Sequence, residues 1–200
     1  MKFLMILFSL LLTFSGQAAQ LRVGDVLLQP LNCWACTLIE VEENSLYSHM
    51  GIVISENPVL VAEAYGPIRA LPLEQFLGKT EKGQKVGVLR FKDQKIRSKF
   101  TMHGDQLREL FKTYQGLPFD DEFLWSNFNE QGQELYYCSE FVTKFLEPFL
   151  GIQLPLKRME FLKNRQLWEI YFKGKIPDGE WGNSPADYER SELFLKIGEL

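Results

Sequence analysis

Histidine is nearly missing from this 200-residue chain, which has two, and cysteine is scarce, with three. Chemistry that needs an imidazole base can use only His49 or His103, and thiol chemistry only Cys33, Cys36 or Cys138. Basic charge is also short. Lys plus Arg number 22 against 26 Asp plus Glu, a formal net charge of −4. Phosphate affinity needs a concentration of Lys and Arg that is not there, so nucleic acid is excluded as a partner. Internal repeats and low-complexity tracts are absent. Beyond the N-terminus no apolar run approaches the roughly 20 residues that a transmembrane anchor needs. Cys33 and Cys36 have no further ligands at zinc spacing, and no motif calls for a metal or other cofactor.

What is present begins with an address. Met1-Lys2 supplies positive charge, Phe3 to Phe14 is almost unbroken apolar sequence, and Ser15-Gly16-Gln17-Ala18-Ala19 ends it with small residues. This pattern predicts a signal peptide over residues 1–19 and export, to the periplasm or beyond the cell, without an anchor. The remainder, about 180 residues, fits one domain over residues 20–200. Its 46% hydrophobic and 24% charged content is that of a globular protein.

Export makes an odd cysteine count informative, because in an oxidising compartment two thiols tend to pair and one is left free. The close pair Cys33-Trp34-Ala35-Cys36 is the expected disulfide. A redox-active C-x-x-C would have to open a helix between two strands, whereas the flanks here read as loop and as a short strand over Thr37–Val41. Cys138 is then the free thiol. It stands in Tyr136-Tyr137-Cys138-Ser139-Glu140-Phe141-Val142, a polar entry into an apolar helix. Unpaired N–H groups at a helix start favour thiolate, which makes Cys138 the candidate nucleophile. A lone cysteine beside an apolar helix is more often a small buried hydrophobe, so a base and an orienting group must be found.

The β-branched run Ser48 to Ser55, the turn Glu56-Asn57-Pro58 and Val59 to Ala64 predict a β-hairpin. His49 begins its first strand and Glu63 lies late in its second, so antiparallel pairing brings them to the same end. A carboxylate there can fix the tautomer of His49 and stabilise its charged form. His103, among polar residues near a predicted helix start, reads as surface. Elsewhere the pattern predicts a strand at residues 21–29, a short helix at Leu73–Leu77 and a strand at Val86–Phe91. Ser98–Tyr114 reads as an amphipathic helix, and a helix from Cys138 is expected to end at Pro148 and Gly151. The acids Asp120-Asp121-Glu122 lack the pattern of a calcium loop and read as turn-forming or solvated. Asp187–Leu200 is expected to be loosely attached.

Taken in order, several pieces resemble the permuted papain-like cysteine amidases of the NlpC superfamily, in their YiiX-like branch. They are Gly24-Asp25-Val26-Leu27-Leu28-Gln29, Ser48-His49-Met50-Gly51-Ile52-Val53, Val61-Ala62-Glu63-Ala64, Gly116-Leu117-Pro118-Phe119-Asp120 and Tyr137-Cys138-Ser139-Glu140-Phe141-Val142. The resemblance implies an α+β fold with a circularly permuted papain-like core. An antiparallel sheet would pack against helices, with the histidine strand before the cysteine helix. It also implies Cys138 as nucleophile, His49 as general base and Glu63 as third member of a triad. Lecithin:retinol acyltransferase-like proteins are similar, but carry a second histidine where Glu63 stands and Asn-Cys-Glu-His where this chain has Tyr-Cys-Ser-Glu.

The expected chemistry is acyl transfer through a thioester, with the oxyanion held by the Cys138 N–H. Tyr137 and Tyr47 are candidates for the second donor or for the substrate wall. The expected substrate is a cell-wall peptide amide; the alternatives are a lipid or other acylated small molecule, and a binding module without turnover. An apolar groove beside Cys138 would favour the lipid and a polar open cleft the cell wall. Titration of unreduced mature protein with a thiol reagent should count one reactive group, mapped by peptide mass spectrometry to Cys138. A count of two or more would refute the Cys33–Cys36 pairing.

Overall fold

The computed structural model describes residues 20–200; the leader-like segment at 1–19 lies outside the described residues. In chain order, β1 (Val26–Gln29) leads into α1 (Trp34–Glu43), and β2 (His49–Glu56) and β3 (Val59–Ala64) form the hairpin. β4 (Ile68–Pro72) runs into α2 (Leu73–Leu77), and β5 (Gly87–Phe91) precedes α3 (Gln94–Tyr114). The short pair β6 (Asn127–Phe128) and β7 (Glu134–Leu135) comes before α4 (Cys138–Leu150). The last third holds β8 (Lys157–Arg158), α5 (Arg165–Tyr171), β9 (Trp181–Gly182), α6 (Pro185–Arg190) and β10 (Phe194–Glu199). Six strands make one antiparallel sheet in the order β10-β5-β1-β2-β3-β4. The α+β architecture is the expected one, with the histidine strand β2 ahead of the cysteine helix α4.

The inner strands β5, β1, β2 and β3 are largely buried on both faces. Val26, Leu28, Met50, Ile52, Ile54, Ala62 and Ala64 pack with α3 and α4, whereas the alternate residues Leu27, Val53 and Val61 pack with Phe76 of α2. A period of two thus assigns His49 and Glu63 to the α2 side. α4 buries Phe141, Val142, Phe145 and Leu146 completely, each contributing roughly 1.5–3 kcal/mol. The helix continues through Pro148 rather than stopping there. Proline has no N–H for the Lys144 carbonyl, and the Tyr114 hydroxyl donates to that oxygen instead, at 2.9 Å. The helix then ends in a left-handed Gly151, φ 70°.

Three expectations need correction. Thr37–Val41 is helical, not a strand. Cys33 caps α1, its sulfur accepting from the Cys36 N–H at 3.0 Å, and Asn44 closes the helix in the left-handed region. β4 was not foreseen; it is five residues long, its burial does not alternate, and its pairing with β3 defines it. The C-terminal stretch is not loosely attached, because β10 pairs with β5 and Phe194 packs on Phe91 at 4.4 Å between ring centroids.

Gly51 lies between His49 and the core of the hairpin. Counting back one from the Ile52–Ala62 pair puts it across from Glu63. A Cβ at Gly51 would come 2.7 Å from Val61 Cγ1 and 2.9 Å from the Ala62 carbonyl oxygen. Gly51→Ala should therefore destabilise the protein by about 1–3 kcal/mol in a urea melt and part the His49 and Glu63 strands.

Candidate functional site

The hairpin brings His49 and Glu63 into contact, Nε2 to Oε2 at 2.8 Å, with both side chains buried. The histidine is held between two rings, Tyr65 at 5.5 Å and Phe76 at 5.9 Å. Glu63 is engaged at both oxygens. Lys79 Nζ is 2.5 Å from each, and Arg69 Nε donates to Oε1 at 3.0 Å. Burial alone would raise the Glu63 carboxyl, but His49 and Lys79 outweigh it and hold the group at about 2. Neither Lys79 nor Arg69 is evident as a site residue from sequence. The only signal is the register, which sets Arg69 directly across from Glu63.

Cys138 is the first residue of α4, where the backbone amides of Met50, Ser139 and Cys138 itself favour the thiolate. Met50 is the neighbour of His49, so the cysteine helix meets the histidine strand at this point. Cys138 and His49 line one cavity of about 190 Å³. The expected bias toward thiolate is not what the enclosure produces. Burial pushes the Cys138 thiol up to about 11 against the pull of the N–H groups, with the Glu63 charge adding to the rise. Burial also lowers the His49 imidazole below its ordinary value, Glu63 opposing and Lys79 and Arg69 assisting. At neutral pH both groups therefore rest uncharged.

The start of α4 is stapled from the C-terminal segment by Asn183, which sequence reading missed. Its backbone N–H donates to the Tyr137 hydroxyl at 3.1 Å, its carbonyl accepts from Ser139 Oγ at 3.0 Å, and Nδ2 donates to Thr143 Oγ1 at 2.6 Å. Tyr137 lines the cavity. Tyr47 does not: it is buried away from the cavity, its hydroxyl accepting from Lys196 of β10 at 3.0 Å. Its position before β2 turns it under the sheet. His103 is half-buried at a break in α3, φ −128° and ψ 25°, and does not line the cavity that Cys138 and His49 share. Asp120 is buried and turn-forming, accepting from the N–H groups of Glu122 and Leu124.

Cys33 and Cys36 are joined in a disulfide and also line the cavity. Together with α1 they do open a helix between two strands, the setting that the flanking sequence argued against. The other walls are apolar and aromatic, chiefly Leu31, Ile39, Phe119, Phe123, Met159 and Trp168. Among the described residues no group of three His, Cys, Asp or Glu side chains converges as a metal site, and no helix is long and apolar enough to cross a membrane.

Residues 20–177 match the family described as permuted papain-like amidase enzyme, YaeF/YiiX, C92 family. The chain is 30% identical over 189 residues to the uncharacterized protein YiiX of Escherichia coli (strain K12), covering 94% of this chain and 87% of that protein. It is also similar to a crystal structure described as that of metalloprotein yiiX from Escherichia coli O157:H7. There the TM-score is 0.75 at 28% identity, over 91% of this chain and 99% of the other.

Glu140, two residues beyond the cysteine, is fully buried. Oε1 accepts from the Ser126 N–H at 3.1 Å and lies 2.9 Å from Lys144 Nζ, while Oε2 has no partner among the described residues. Burial pushes this carboxyl up to about 7 against the pull of Lys144. A carboxyl whose folded value is raised favours folding below its ordinary 4.5 and loses that contribution as pH climbs through 7. Glu63 is depressed, so its contribution is lost only below 4.5 and leaves the higher window clear. Relative to wild type, Glu140→Gln should gain about 1–2 kcal/mol of stability between about pH 5 and pH 8, read from urea melts at both.

Proposed function

Because this chain belongs to the permuted papain-like amidase family and is a cysteine-peptidase-type hydrolase, we propose that Cys138, His49 and Glu63 form its catalytic triad. The observation that carries this reading is that Cys138 and His49 open on one cavity while His49 Nε2 is tied to a buried, ionised Glu63. With Nε2–H donating to Glu63, Nδ1 is the basic nitrogen. It takes the Cys138 proton as the sulfur attacks the carbonyl, so charge develops only during reaction. N–H groups at the start of α4 receive the oxyanion. Collapse of the tetrahedral intermediate breaks the C–N bond, the imidazolium protonates the leaving amine, and a thioester remains. Water, deprotonated by His49, then releases the acid and restores the thiol.

The cavity walls bear on the substrate. A cell-wall peptide would call for a polar, open cleft, whereas Ile39, Phe123, Met159 and Trp168 offer apolar surface beside the sulfur. This lining favours a substrate with an apolar acyl part, a long-chain amide or ester, over a polar peptide stem. Export accords with the leader-like N-terminus and with a disulfide, which persists in oxidising compartments. The description of the Escherichia coli O157:H7 structure as a metalloprotein raises a metal. The donor set here does not fit one, since Glu63 is already taken up by His49, Lys79 and Arg69. No step is routed through a metal.

Iodoacetamide alkylation of Cys138 at about pH 7.5 tests the base. His49→Ala should slow it roughly tenfold or more, Glu63→Gln less, and His103→Ala hardly at all, with the rates converging near pH 11 where the thiol ionises unaided. Equal rates for wild type and His49→Ala at the lower pH would refute the triad. Turnover of a long-chain N-acyl amide should exceed that of a cell-wall stem peptide at equal concentration; the reverse order would return the substrate to the cell wall.

A further inference from the structure

Glu63 has more cations than the orientation of one imidazole requires. Lys79, just beyond α2, bridges both carboxylate oxygens at 2.5 Å, and Arg69 approaches Oε1 from β4. The Lys79 ammonium lies 4.6 Å from the Tyr65 ring centroid and 5.3 Å from that of Phe76. These two rings also enclose the imidazole. Imidazole and ammonium therefore share one carboxylate and one pair of aromatic walls.

A histidine beside a lone carboxylate is drawn toward imidazolium, which cannot accept the thiol proton. The charged and titratable groups around His49 come from several elements. Glu63 is on β3, Arg69 on β4, Lys79 after α2, Tyr65 after β3, and Cys138 on α4; Gln29, opposite on β1, is neutral. Before His49 is protonated, Glu63, Lys79 and Arg69 together carry one positive charge. A second imidazole proton would raise this to two within an enclosed site. Arg69 is 45% exposed and screened by water, whereas Lys79 is 21% exposed, so Lys79 acts more strongly.

We propose that Lys79 is a positioning residue for the thiol chemistry: it holds the Glu63 carboxylate on His49 Nε2 and cancels the anion's pull, so that His49 remains a neutral base. This rests on His49 being the base. Glu63 sets the tautomer, while Lys79 offsets the rise in Nδ1 basicity that Glu63 would otherwise cause and that would leave His49 already protonated.

With two histidines in the chain, imidazole NMR titration reads His49 directly and needs no substrate. In Lys79→Met the His49 pKa should rise by about one unit or more, carrying the acidic limb of Cys138 alkylation upward with it. Lys79→Arg should stay near wild type, Arg69→Gln should shift in the same direction by less, and His103 should not move. An unshifted His49 in Lys79→Met, or a uniform loss of alkylation with an unchanged acidic limb, would overturn the proposal. If Lys79→Met does not fold, Arg69→Gln carries the test, and a His49 pKa equal to or below wild type there overturns it. The two readings fail differently. Alkylation indifferent to His49→Ala removes the base, whereas sensitivity to His49→Ala with a titration unmoved by Lys79→Met removes only the role of Lys79.

Discussion

A carboxylate with no exposure to water sits at the end of a β-hairpin, and the surrounding structure meets its needs. An isolated buried anion costs several kcal/mol, and that cost is offset only by good pairing on every side. Glu63 obtains it from His49 on its own hairpin, Arg69 across the next strand and Lys79 beyond the short helix. Three separate stretches of chain are thereby drawn to one point. The Leu31–Thr80 bridge holds the turn bearing Lys79 against the exit of β1, and Gln29 donates to the Phe76 carbonyl and Thr80 hydroxyl beside it.

The thiol side of the site is built by different means. α4 is placed by apolar burial, and its first turn is then adjusted by hydrogen bonds from a segment over forty residues downstream. Asn183 ties Tyr137, Ser139 and Thr143 together, and Tyr188 meets Thr143 from α6. The same segment runs on into β10, which completes the sheet. The C-terminal quarter is thus part of what holds Cys138 toward β2.

The enclosure that positions the thiol also keeps it neutral. The backbone amides near the helix start favour the thiolate, yet desolvation outweighs them, because a helix terminus stabilises an anion modestly and loss of water penalises it heavily. A neutral thiol is less open to stray oxidation than a standing thiolate.

Local sequence was enough for much of this. The period-two pattern around a Pro-containing turn marked the hairpin, and the end positions of His49 and Glu63 follow from antiparallel pairing alone, which is why their contact was legible. The apolar stripe after Cys138 marked α4 for the same reason. Thr37–Val41 was misread because β-branched residues favour a strand, whereas the cap from Cys33 and the packing of Leu38 against the last third of the chain favour a helix. β10 went unrecognised because an edge strand carries a weak pattern of its own and is defined by its partner. Lys79, Arg69 and Asn183 looked like ordinary polar residues because their roles depend on partners far away in sequence. The chain by itself determined which residues could do the chemistry, since two histidines and one unpaired cysteine leave almost no choice. Only the tertiary structure decided their charge states and what shares the carboxylate, because burial and long-range pairing arise when distant segments close on one another.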